Sequence, residues 1–390
     1  MNRLSVCVIG GGLAGSSVAH ELMASGRKVH VTVVDDDPDS PYDRPPLTKR
    51  FLDDDFDAVA EPGWAVQGAT WLRDRAVAMN IRERIVVLES GRRLAADVIV
   101  LATGGRPRSQ SADLWGFSLV RTAADALWLR ERVAAVRSAS VLIEGAGPLG
   151  SEMATTLSRE DVRVTLVEVD RLPMRRLLGP ELGKQVARWA ADAGVDLRLE
   201  RHITSSSRLP GDAFDVTLSD GSHLHADIAL SAIGMTPATE LVAGWAAADG
   251  RGVHCDPQGH VLSMDGEAYP HVYAVGDAAA YTDPVTDALV HHESWTNAAE
   301  QGAAVAAEIL GEPATSRRLP YFWTEVFGRR VQILGTVPVD PSPPEVLALY
   351  PERKGAVYRF DDEGRQAAWV AVNAPRDFAA IMQEQQAVVT

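Results

Sequence analysis

The 390 residues carry 38 basic and 53 acidic side chains, a net charge of −15, and 46% of the residues are hydrophobic. This composition excludes wholesale disorder and makes the chain a poor general binder of nucleic acid or anionic membranes. The two cysteines, Cys7 and Cys255, form no CxxC pair and are too few for a disulfide framework or a cysteine-rich metal site.

The chain opens on an apolar run that stops at Gly10, the first of three glycines. We interpret this run as the first strand of the fold rather than as a signal sequence, because a helical pattern carrying His20 and Glu21 follows it. No apolar run approaches the roughly 18 residues that a membrane-spanning helix needs. The sequence therefore predicts a cytoplasmic protein without a membrane partner.

The first glycine cluster fits the pattern GxGxxG. This pattern lets the backbone turn tightly and approach a pyrophosphate, and lets the next helix direct its N-terminal N–H groups at the phosphates. A second strand, residues 31–34, ends in acidic residues that can accept hydrogen bonds from ribose hydroxyls. Strand, glycines, helix, strand and acid in this order favour a nucleotide site over a chance glycine turn. The predicted contacts are Gly10, Gly12, Leu13, Ala14, Gly15 and Asp36.

A hairpin-like stretch, residues 76–94, and a buried strand, residues 97–101, lead to a second copy of the same layout. Residues 140–171 repeat the order found in residues 4–37, with an apolar run, a glycine cluster, an amphipathic helix, a second apolar run and acidic residues. Each copy is typical of a βαβ unit. Because the copies start 136 residues apart, too far for a solenoid repeat, we predict two separate domains in an α/β fold.

The second glycine cluster again fits GxGxxG. Glu168 follows the next strand, and an acid there favours the free 2′-hydroxyl of NADH over the 2′-phosphate of NADPH. Arg171, Arg175 and Arg176 follow closely and keep NADPH open as the alternative, because arginine can bind a 2′-phosphate. Two dinucleotide sites in one chain indicate one bound flavin and one exchanging nicotinamide, with hydride transfer between them. The predicted contacts are Gly145, Gly147, Pro148, Leu149, Gly150, Glu168 and Arg176.

Periodicity and turn residues predict the remaining elements. Pro313 and Pro320 bracket a predicted linker, and the turn 361–364 joins the last two strands as a hairpin. The predicted strands are residues 195–199, 214–218, 228–232, 272–275, 331–334, 356–360 and 367–372. The predicted helices are residues 180–193, residues 294–310 and a final one that starts near Pro375.

Five short motifs lie outside the two glycine patterns. They are Pro41-Tyr42-Asp43-Arg44-Pro45-Pro46-Leu47-Thr48-Lys49, Ala102-Thr103-Gly104, Gly276-Asp277, Glu293-Ser294-Trp295 and Tyr321-Phe322-Trp323. In this order and at this spacing, the set resembles the oxygenase-coupled ferredoxin reductases. This family includes the reductases of biphenyl-type dioxygenases, putidaredoxin reductase and rubredoxin reductase. The resemblance covers nearly the whole chain.

The resemblance implies a glutathione-reductase-like fold with two Rossmann-like dinucleotide-binding domains and a C-terminal α+β domain. It implies an FAD-binding domain formed by residues 1–108 and 235–314. It also implies an NAD-binding domain at residues 109–234 and the C-terminal domain at residues 315–390. Whether the protein is a monomer or a homodimer stays open.

The resemblance also implies a flavin site. The family pairs the lysine of the first motif with the glutamate after the second glycine cluster, here Lys49 and Glu152, and we expect this pair and Trp295 to be catalytic. The alternative is that the two charges are unrelated surface groups and that the tryptophans belong to the core. We interpret His291 and His292 as polar lining rather than metal ligands. The implied cofactor contacts are Arg44, Lys49, Ala102, Thr103, Gly104, Arg108, Gly234, Gly276, Asp277, Glu293, Ser294, Trp295 and Trp323.

Related two-dinucleotide enzymes, such as glutathione reductase, pass electrons through cysteines near the flavin. Here Cys7 lies on the first strand and Cys255 lies away from both glycine clusters, so neither is placed as a redox cysteine. Reduced flavin must then pass electrons outward directly. The resemblance implies that NADH reduces FAD, and that FAD reduces a [2Fe-2S] ferredoxin serving a cytochrome P450 or a Rieske oxygenase.

The chain departs from the family near the expected flavin and nicotinamide. Glu325 and Val326 stand where the family has Asp and Gln, and Ala238 stands where it has Asn. Ferredoxins are usually acidic, so a −15 reductase needs a local basic patch to receive one. The candidates for this patch are Arg317, Arg318, Arg329 and Arg330. Two alternatives stay open: a flavin-dependent oxidoreductase acting on a small molecule, and a redox sensor similar to apoptosis-inducing factor.

Overall fold

The structure is a computed structural model that describes residues 3–60, 62, 66–108, 110–158, 162–284, 287–313, 319–338, 341–362 and 365–389. The strands are β1 (Leu4–Ile9), β2 (Val29–Asp35), β3 (Thr70–Arg73), β4 (Ala76–Asn80), β5 (Ile85–Leu88), β6 (Arg93–Ala95), β7 (Val98–Leu101), β8 (Gly105–Pro107), β9 (Ser140–Glu144), β10 (Arg163–Glu168), β11 (Asp196–Leu199), β12 (Ile203–Arg208), β13 (Phe214–Leu218), β14 (His223–Ala226), β15 (Ile228–Ser231), β16 (Met235–Pro237), β17 (Ala248–Asp249), β18 (Gly252–Cys255), β19 (His260–Leu262), β20 (Ala268–Ala274), β21 (Ala279–Thr282), β22 (Leu289–Val290), β23 (Tyr321–Val326), β24 (Arg329–Leu334), β25 (Glu345–Tyr350), β26 (Gly355–Asp362) and β27 (Arg365–Val372). The helices are α1 (Leu13–Ala24), α2 (Pro46–Lys49), α3 (Gln110–Trp115), α4 (Ala123–Ala135), α5 (Pro148–Leu157), α6 (Arg175–Asp192), α7 (Trp295–Leu310) and α8 (Pro375–Val389).

The chain folds into two compact units, and each is assembled from three separate segments. The first unit comprises Met1–Asp43, Val59–Arg106 and Met235–Arg317. The second comprises Arg44–Ala58, Pro107–Gly234 and Arg318–Thr390. The expected division into an FAD-binding, an NAD-binding and a C-terminal domain stays a prediction.

The first unit is built on a sheet in the order β22-β21-β18-β19-β20-β7-β1-β2-β3, in which β20, β7, β1, β2 and β3 run parallel. Side chains alternate along β1, because Val6 and Val8 pack with α1 and α7 whereas Cys7 packs with β5 on the opposite face. Both faces are covered, which is why β1 is apolar from Val6 to Ile9. Parallel strands end at one edge of their sheet, so Gly10 after β1 and Ala102 after β7 lie side by side.

Helices α1 and α7 approach each other closely at Gly302. A Cβ added at Gly302 would lie 2.6 Å from the carbonyl oxygen of Ala14 and 2.7 Å from the Cβ of Ser17. Both distances are well below van der Waals contact, and the carbonyl belongs to backbone that cannot rotate away. The missing side chain therefore allows α7 to pack on the first turn of α1, directly after the first glycine cluster.

The second unit contains a parallel sheet, β11-β10-β9-β15, and antiparallel sheets in the orders β12-β13-β14 and β23-β24-β27-β26-β25. Strand β9 has β10 on one side and β15 on the other, so its carboxyl end lies where the strand order reverses. Ligands of open α/β sheets bind at such a point, and the second glycine cluster follows β9 there. Helix α8 packs on the last sheet through Phe378, which is buried with Leu334 and Trp369.

The α/β fold class is confirmed, since β1-α1-β2 and β9-α5-β10 are the two expected βαβ units. Helix α6 begins before the predicted residue 180 and is interrupted at Gly179, whose φ is +72°, just before Pro180. Residues 314–318 of the predicted linker and residues 363–364 of the predicted hairpin turn lie outside the described residues. Within the described part of the chain, no helix has both the length and the apolar composition that crossing a membrane requires.

We predict that Gly302→Ala destabilises the protein. Alanine in a helix interior is normally more stable than glycine by roughly 0.5–1 kcal/mol, but forcing an atom into a packed backbone contact costs roughly 1–3 kcal/mol, so the clash dominates. The midpoint of urea unfolding measures the effect. Gly250→Ala is the matched control, because an added Cβ there meets nothing within 4 Å. A Gly302→Ala protein at least as stable as this control would contradict the packing described here.

Candidate functional site

Gly10 and Gly15 of the first cluster occupy positions where a side chain would clash. Gly10 has a φ of +106°, and an added Cβ would lie 2.2 Å from the carbonyl oxygen of Ala102. An added Cβ at Gly15 would lie 2.0 Å from the carbonyl oxygen of Gly10, so α1 packs directly on the end of β1. Gly12 is the N-cap of α1 and offers no side chain to the helix end. The N-terminal N–H groups of α1 therefore remain suited to an anionic ligand such as a pyrophosphate.

The Gly276-Asp277 motif reaches the same helix end. A Cβ added at Gly276 would lie 2.8 Å from the Cβ of Ala14, in the first turn of α1. The backbone N–H of Gly276 donates to Oε1 of Gln301 on α7 at 2.7 Å. The first unit thus brings together the first glycine cluster, the alanine of the Ala102-Thr103-Gly104 motif and the Gly276-Asp277 turn.

Asp35 is the last residue of β2, Asp36 and Asp37 follow it, and the environments of the three differ. Asp35 is buried, and its carboxylate accepts hydrogen bonds from the backbone N–H groups of Gly11 and Asp37. Asp36, the predicted ribose ligand, is exposed to solvent and pairs with Arg75 at 2.8 Å. Asp35 therefore holds the glycine loop in place. Sequence reasoning missed this role, because three adjacent acids give no sign of which one faces inward.

The second glycine cluster has the same geometry in the second unit. A Cβ added at Gly145 would lie 2.5 Å from the carbonyl oxygen of Ala232, and one added at Gly150 would lie 1.9 Å from that of Gly145. Gly147 is the N-cap of α5, again without a side-chain cap, and Pro148 follows it. A Cβ added at Gly147 would meet nothing within 4 Å, so there is open space beside this helix end. The loop therefore fits a second pyrophosphate.

Glu168, the predicted ribose ligand of the second site, also holds its glycine loop. Its Oε2 accepts from the backbone N–H of Ala146 at 2.7 Å, and its Oε1 accepts from that of Asp170 at 2.8 Å. Glu168 therefore holds the second glycine loop in place as Asp35 holds the first. Among the nearby arginines, Arg175 pairs with Asp170 at 3.3 Å, whereas Arg176 is exposed.

Trp295 presents a partly exposed ring that is fixed at one end. Its surface is 40% exposed, and its Nε1 donates to Oδ1 of Asp43 at 2.9 Å. Ser294 caps the N-terminus of α7, because its hydroxyl accepts from the backbone N–H of Asn297. The position and orientation of the indole are therefore set by both the helix start and the first motif.

Several other predicted cofactor contacts lie at backbone turns. In the first unit, the hydroxyl of Thr103 donates to the carbonyl oxygen of Ala238 at 2.8 Å, and Gly104 has a φ of +66°. Only the backbone of Ala238 takes part in this hydrogen bond, so the bond forms although Ala238 stands where the family has Asn. In the second unit, Gly234 has a φ of +104°, and its carbonyl oxygen accepts from the backbone N–H of Arg108 at 3.0 Å.

Glu152 is a buried carboxylate surrounded by donors in the second unit. Its side chain is 3% exposed, and its Oε1 lies 2.7 Å from Nζ of Lys49. The hydroxyl of Thr48 donates to Oε2 at 2.7 Å, and that of Thr324 donates to Oε1 at 2.5 Å. The ammonium of Lys49 also lies 4.8 Å from the ring centroid of Trp323. Lys49 and Glu152 are thus a structured ion pair rather than unrelated surface charges.

Sequence reasoning missed the two threonine hydroxyls of this network. Thr48 immediately precedes Lys49, and Thr324 immediately follows Trp323, so each adjoins a motif residue. The position of each threonine beside a motif residue is the feature by which it could have been found. Threonine is also a common strand residue, however, and nothing in the neighbouring sequence shows that its hydroxyl contacts a distant carboxylate.

Both cysteines are core residues of the first unit. Cys7 on β1 is 2% exposed, and Cys255 on β18 is fully buried. Burial raises the pKa of the Cys7 thiol to about 12 and also raises the pKa of Cys255. Protonated, buried thiols are poor redox groups, since the reactive form is the thiolate. In the described part of the chain, no cluster of three His, Cys, Asp or Glu side chains is arranged to hold a metal ion.

The negative charge is divided unevenly between the two units. The second unit has 26 basic and 30 acidic side chains, a net charge of −4, which leaves −11 for the first. Within the predicted basic patch, Arg330 is exposed and lies 3.9 Å from Glu325, whereas Arg329 donates to the carbonyl oxygen of Phe327. The rest of the patch, residues 317–318, lies outside the described residues.

The sequence matches the pyridine nucleotide-disulphide oxidoreductase family over residues 4–302. The chain belongs to this family. It is therefore an oxidoreductase of a family that uses a flavin and NAD(P). The family match and the similar proteins described next confirm the fold and the resemblance inferred from the motifs.

Similar proteins narrow the relationship. The chain is 34% identical to the ferredoxin reductase component of chlorobenzene dioxygenase from Cupriavidus sp. (strain PS12), over 96% of this chain and 90% of that protein. It is 32% identical, with the same coverages, to the ferredoxin–NAD(+) reductase subunit of the benzene 1,2-dioxygenase system of Pseudomonas putida. Among solved structures, the reductase in the covalent putidaredoxin reductase–putidaredoxin complex is 27% identical with a TM-score of 0.87, covering 100% of this chain and 94% of that one. The ferredoxin reductase for the CYP199A2 system of Rhodopseudomonas palustris is 27% identical with a TM-score of 0.86, covering 97% and 93%.

We predict that Thr324→Val destabilises the protein relative to Thr324→Ser. Valine has nearly the shape of threonine but cannot donate to Glu152, and a hydrogen bond to a buried charged group contributes about 1.5–3 kcal/mol. Serine keeps the hydroxyl and loses only a methyl group. Urea unfolding of the two flavin-loaded variants measures the difference. Equal or greater stability of the valine variant would show that the hydroxyl does not support the carboxylate.

Proposed function

We propose that this chain is an FAD-dependent NADH:ferredoxin reductase that supplies electrons, through a [2Fe-2S] ferredoxin, to a cytochrome P450 or a Rieske oxygenase. The observation that carries the proposal is the combination of two glycine loops, each at a helix end without a side-chain cap, with two buried cysteines. Electrons that enter from a nicotinamide have no thiol relay to follow and must leave the flavin outward. The named functions of the similar proteins favour a ferredoxin as the acceptor.

We assign FAD to the first glycine loop and NADH to the second. The helix end at Gly12 suits the FAD pyrophosphate, with Asp36 and Asp277 as ligands of its polyol groups. The helix end at Gly147 suits the pyrophosphate of NADH, and the fixed carboxylate of Glu168 favours its free 2′-hydroxyl. When bound, FAD accepts a hydride from NADH and releases electrons one at a time.

The side chains of this proposal orient, exclude water and place charge. Lys49 supplies positive charge, and Glu152 holds its ammonium within a small volume. The ring of Trp295 is assigned as a wall that keeps water from the flavin, and the ring of Trp323 as a wall beside the ammonium of Lys49. We assign no side-chain nucleophile and no obligatory general base, since hydride transfer needs neither.

The charge division bears on the partner. An acidic ferredoxin is repelled by a protein of net charge −15, but the second unit accounts for only −4 of that charge. The second unit also carries Lys49 and Trp323. We therefore propose that the ferredoxin approaches this unit, and that the protein acts in the cytoplasm with its partner.

An electron-transfer assay tests the function. We expect the purified yellow protein with NADH to reduce cytochrome c rapidly only when a ferredoxin is added. We also expect the double variant Cys7→Ala/Cys255→Ala to reduce cytochrome c, with ferredoxin, at least half as fast as wild type at a temperature where the variant is folded. Each buried thiol serves only packing in this account. Equal cytochrome c reduction without ferredoxin, or direct turnover of a small molecule instead, would point to the alternative functions.

We predict that Glu168→Gln relaxes the choice between NADH and NADPH. The amide keeps a carbonyl oxygen for the N–H of Ala146 but removes the charge that opposes a 2′-phosphate, so the ratio of kcat/KM values should fall by about tenfold or more. Glu181→Gln is the matched control, because that side chain is half-exposed and pairs with Lys184. Unchanged selectivity in Glu168→Gln would remove the assignment of this residue to the ribose.

A further inference from the structure

The imidazole of His291 lies between two acceptors in the first unit. Its Nδ1 is 3.1 Å from the carbonyl oxygen of Ala279, and its Nε2 is 3.1 Å from Oε1 of Glu293. A backbone carbonyl and an ionised carboxylate can only accept hydrogen bonds. A neutral imidazole carries one N–H and satisfies one of them, so only the imidazolium donates to both. The geometry therefore selects the charged form of His291.

The surroundings of His291 contain charges that support this form. Glu293 faces it from the segment that precedes α7, and Asp277 faces it from the turn after β20. The side chain of His291 is only 14% exposed. This burial disfavours the charged imidazolium and on its own lowers the pKa of His291. The hydrogen bond and charge of Glu293, the carbonyl of Ala279 and the charge of Asp277 outweigh burial, and the pKa of His291 is raised.

The same two carboxylates are assigned above to the flavin site. Glu293 is also joined to Ser294 and Trp295, which start α7 and present the exposed indole. The inference drawn here rests on the proposed function only in treating Glu293 and Asp277 as flavin contacts. We propose that His291 is a positioning residue of the flavin site, whose imidazolium holds Glu293 in place and offsets the negative charge of Glu293 and Asp277.

The sign of the pH dependence follows from the raised pKa. A histidine whose folded-state pKa lies above its ordinary value of about 6.5 stabilises the folded site fully below that value. Its contribution is lost as the pH rises through the folded-state pKa. Above it, neutral His291 satisfies one acceptor only and no longer offsets the negative charge of Glu293 and Asp277.

Nuclear magnetic resonance of the imidazole nitrogens tests the charged form directly. In flavin-loaded protein labelled with 15N-histidine, we expect the two ring nitrogens of His291, assigned by their loss in His291→Gln, to report an imidazolium near pH 7. His223→Gln, which removes an exposed histidine on β14, is the control for the assignment. A single neutral tautomer of His291 at this pH would overturn the proposal, and the measurement uses neither NADH nor a ferredoxin.

Flavin affinity at two pH values tests the positioning role. We expect His291→Gln to release FAD about tenfold more readily than wild type near pH 6, and the two proteins to converge near pH 9. His291→Arg keeps the charge and should bind FAD with little change between these values, while His223→Gln should match wild type throughout. Parallel pH profiles for wild type and His291→Gln would overturn the role. If His291→Gln does not fold, the His291 resonances are assigned by their loss in His291→Arg, and a neutral tautomer of His291 in wild type would still overturn the proposal.

Discussion

The contacts of a single buried carboxylate, that of Glu152, hold together three segments of the second unit. A charge buried to this extent costs several kcal/mol when it is left unpaired, so the fold must bring donors to it. Thr48 and Lys49 reach it from α2, and Thr324 reaches it from β23. Three segments that are distant in sequence are therefore fixed around one group. The result is an ammonium with little freedom to move, held beside the indole of Trp323.

Those parts of the site that depend on local sequence could be predicted, and those that depend on tertiary contact could not. A strand, GxGxxG and a helix are contiguous, so the positive φ of Gly10 and Gly145 follows from the pattern. The inward turn of Asp35, one of three adjacent aspartates, depends on the register of β2 and not on its composition. The pairing of Lys49 with Glu152 was expected only from the family resemblance, since the two lie in different elements.

In the two antiparallel sheets of the second unit, central strands could be predicted from the sequence and edge strands could not. These sheets have the orders β12-β13-β14 and β23-β24-β27-β26-β25. Their inner strands pair on both sides and are buried, so their sequences have an apolar pattern from which the strands could be predicted. The inner strands are β13, β24, β27 and β26. The edge strands pair on one side only and bury less. Thus β12 carries a run of serines, and β25 leaves Leu349 65% exposed. Neither strand has the alternation by which it could be recognised.

In the proposed function, the two glycine loops and the two buried cysteines together determine the path of electrons. Both loops offer an uncapped helix end to a dinucleotide, while Cys7 and Cys255 are enclosed in the core with raised thiol pKa values. In this path, electrons from NADH are therefore stored on the flavin alone. Anaerobic reductive titration of the purified holoprotein tests this most directly. We expect complete reduction after about two electrons per flavin, whereas uptake of about four electrons, as a flavin with a redox disulfide requires, would rule out this path.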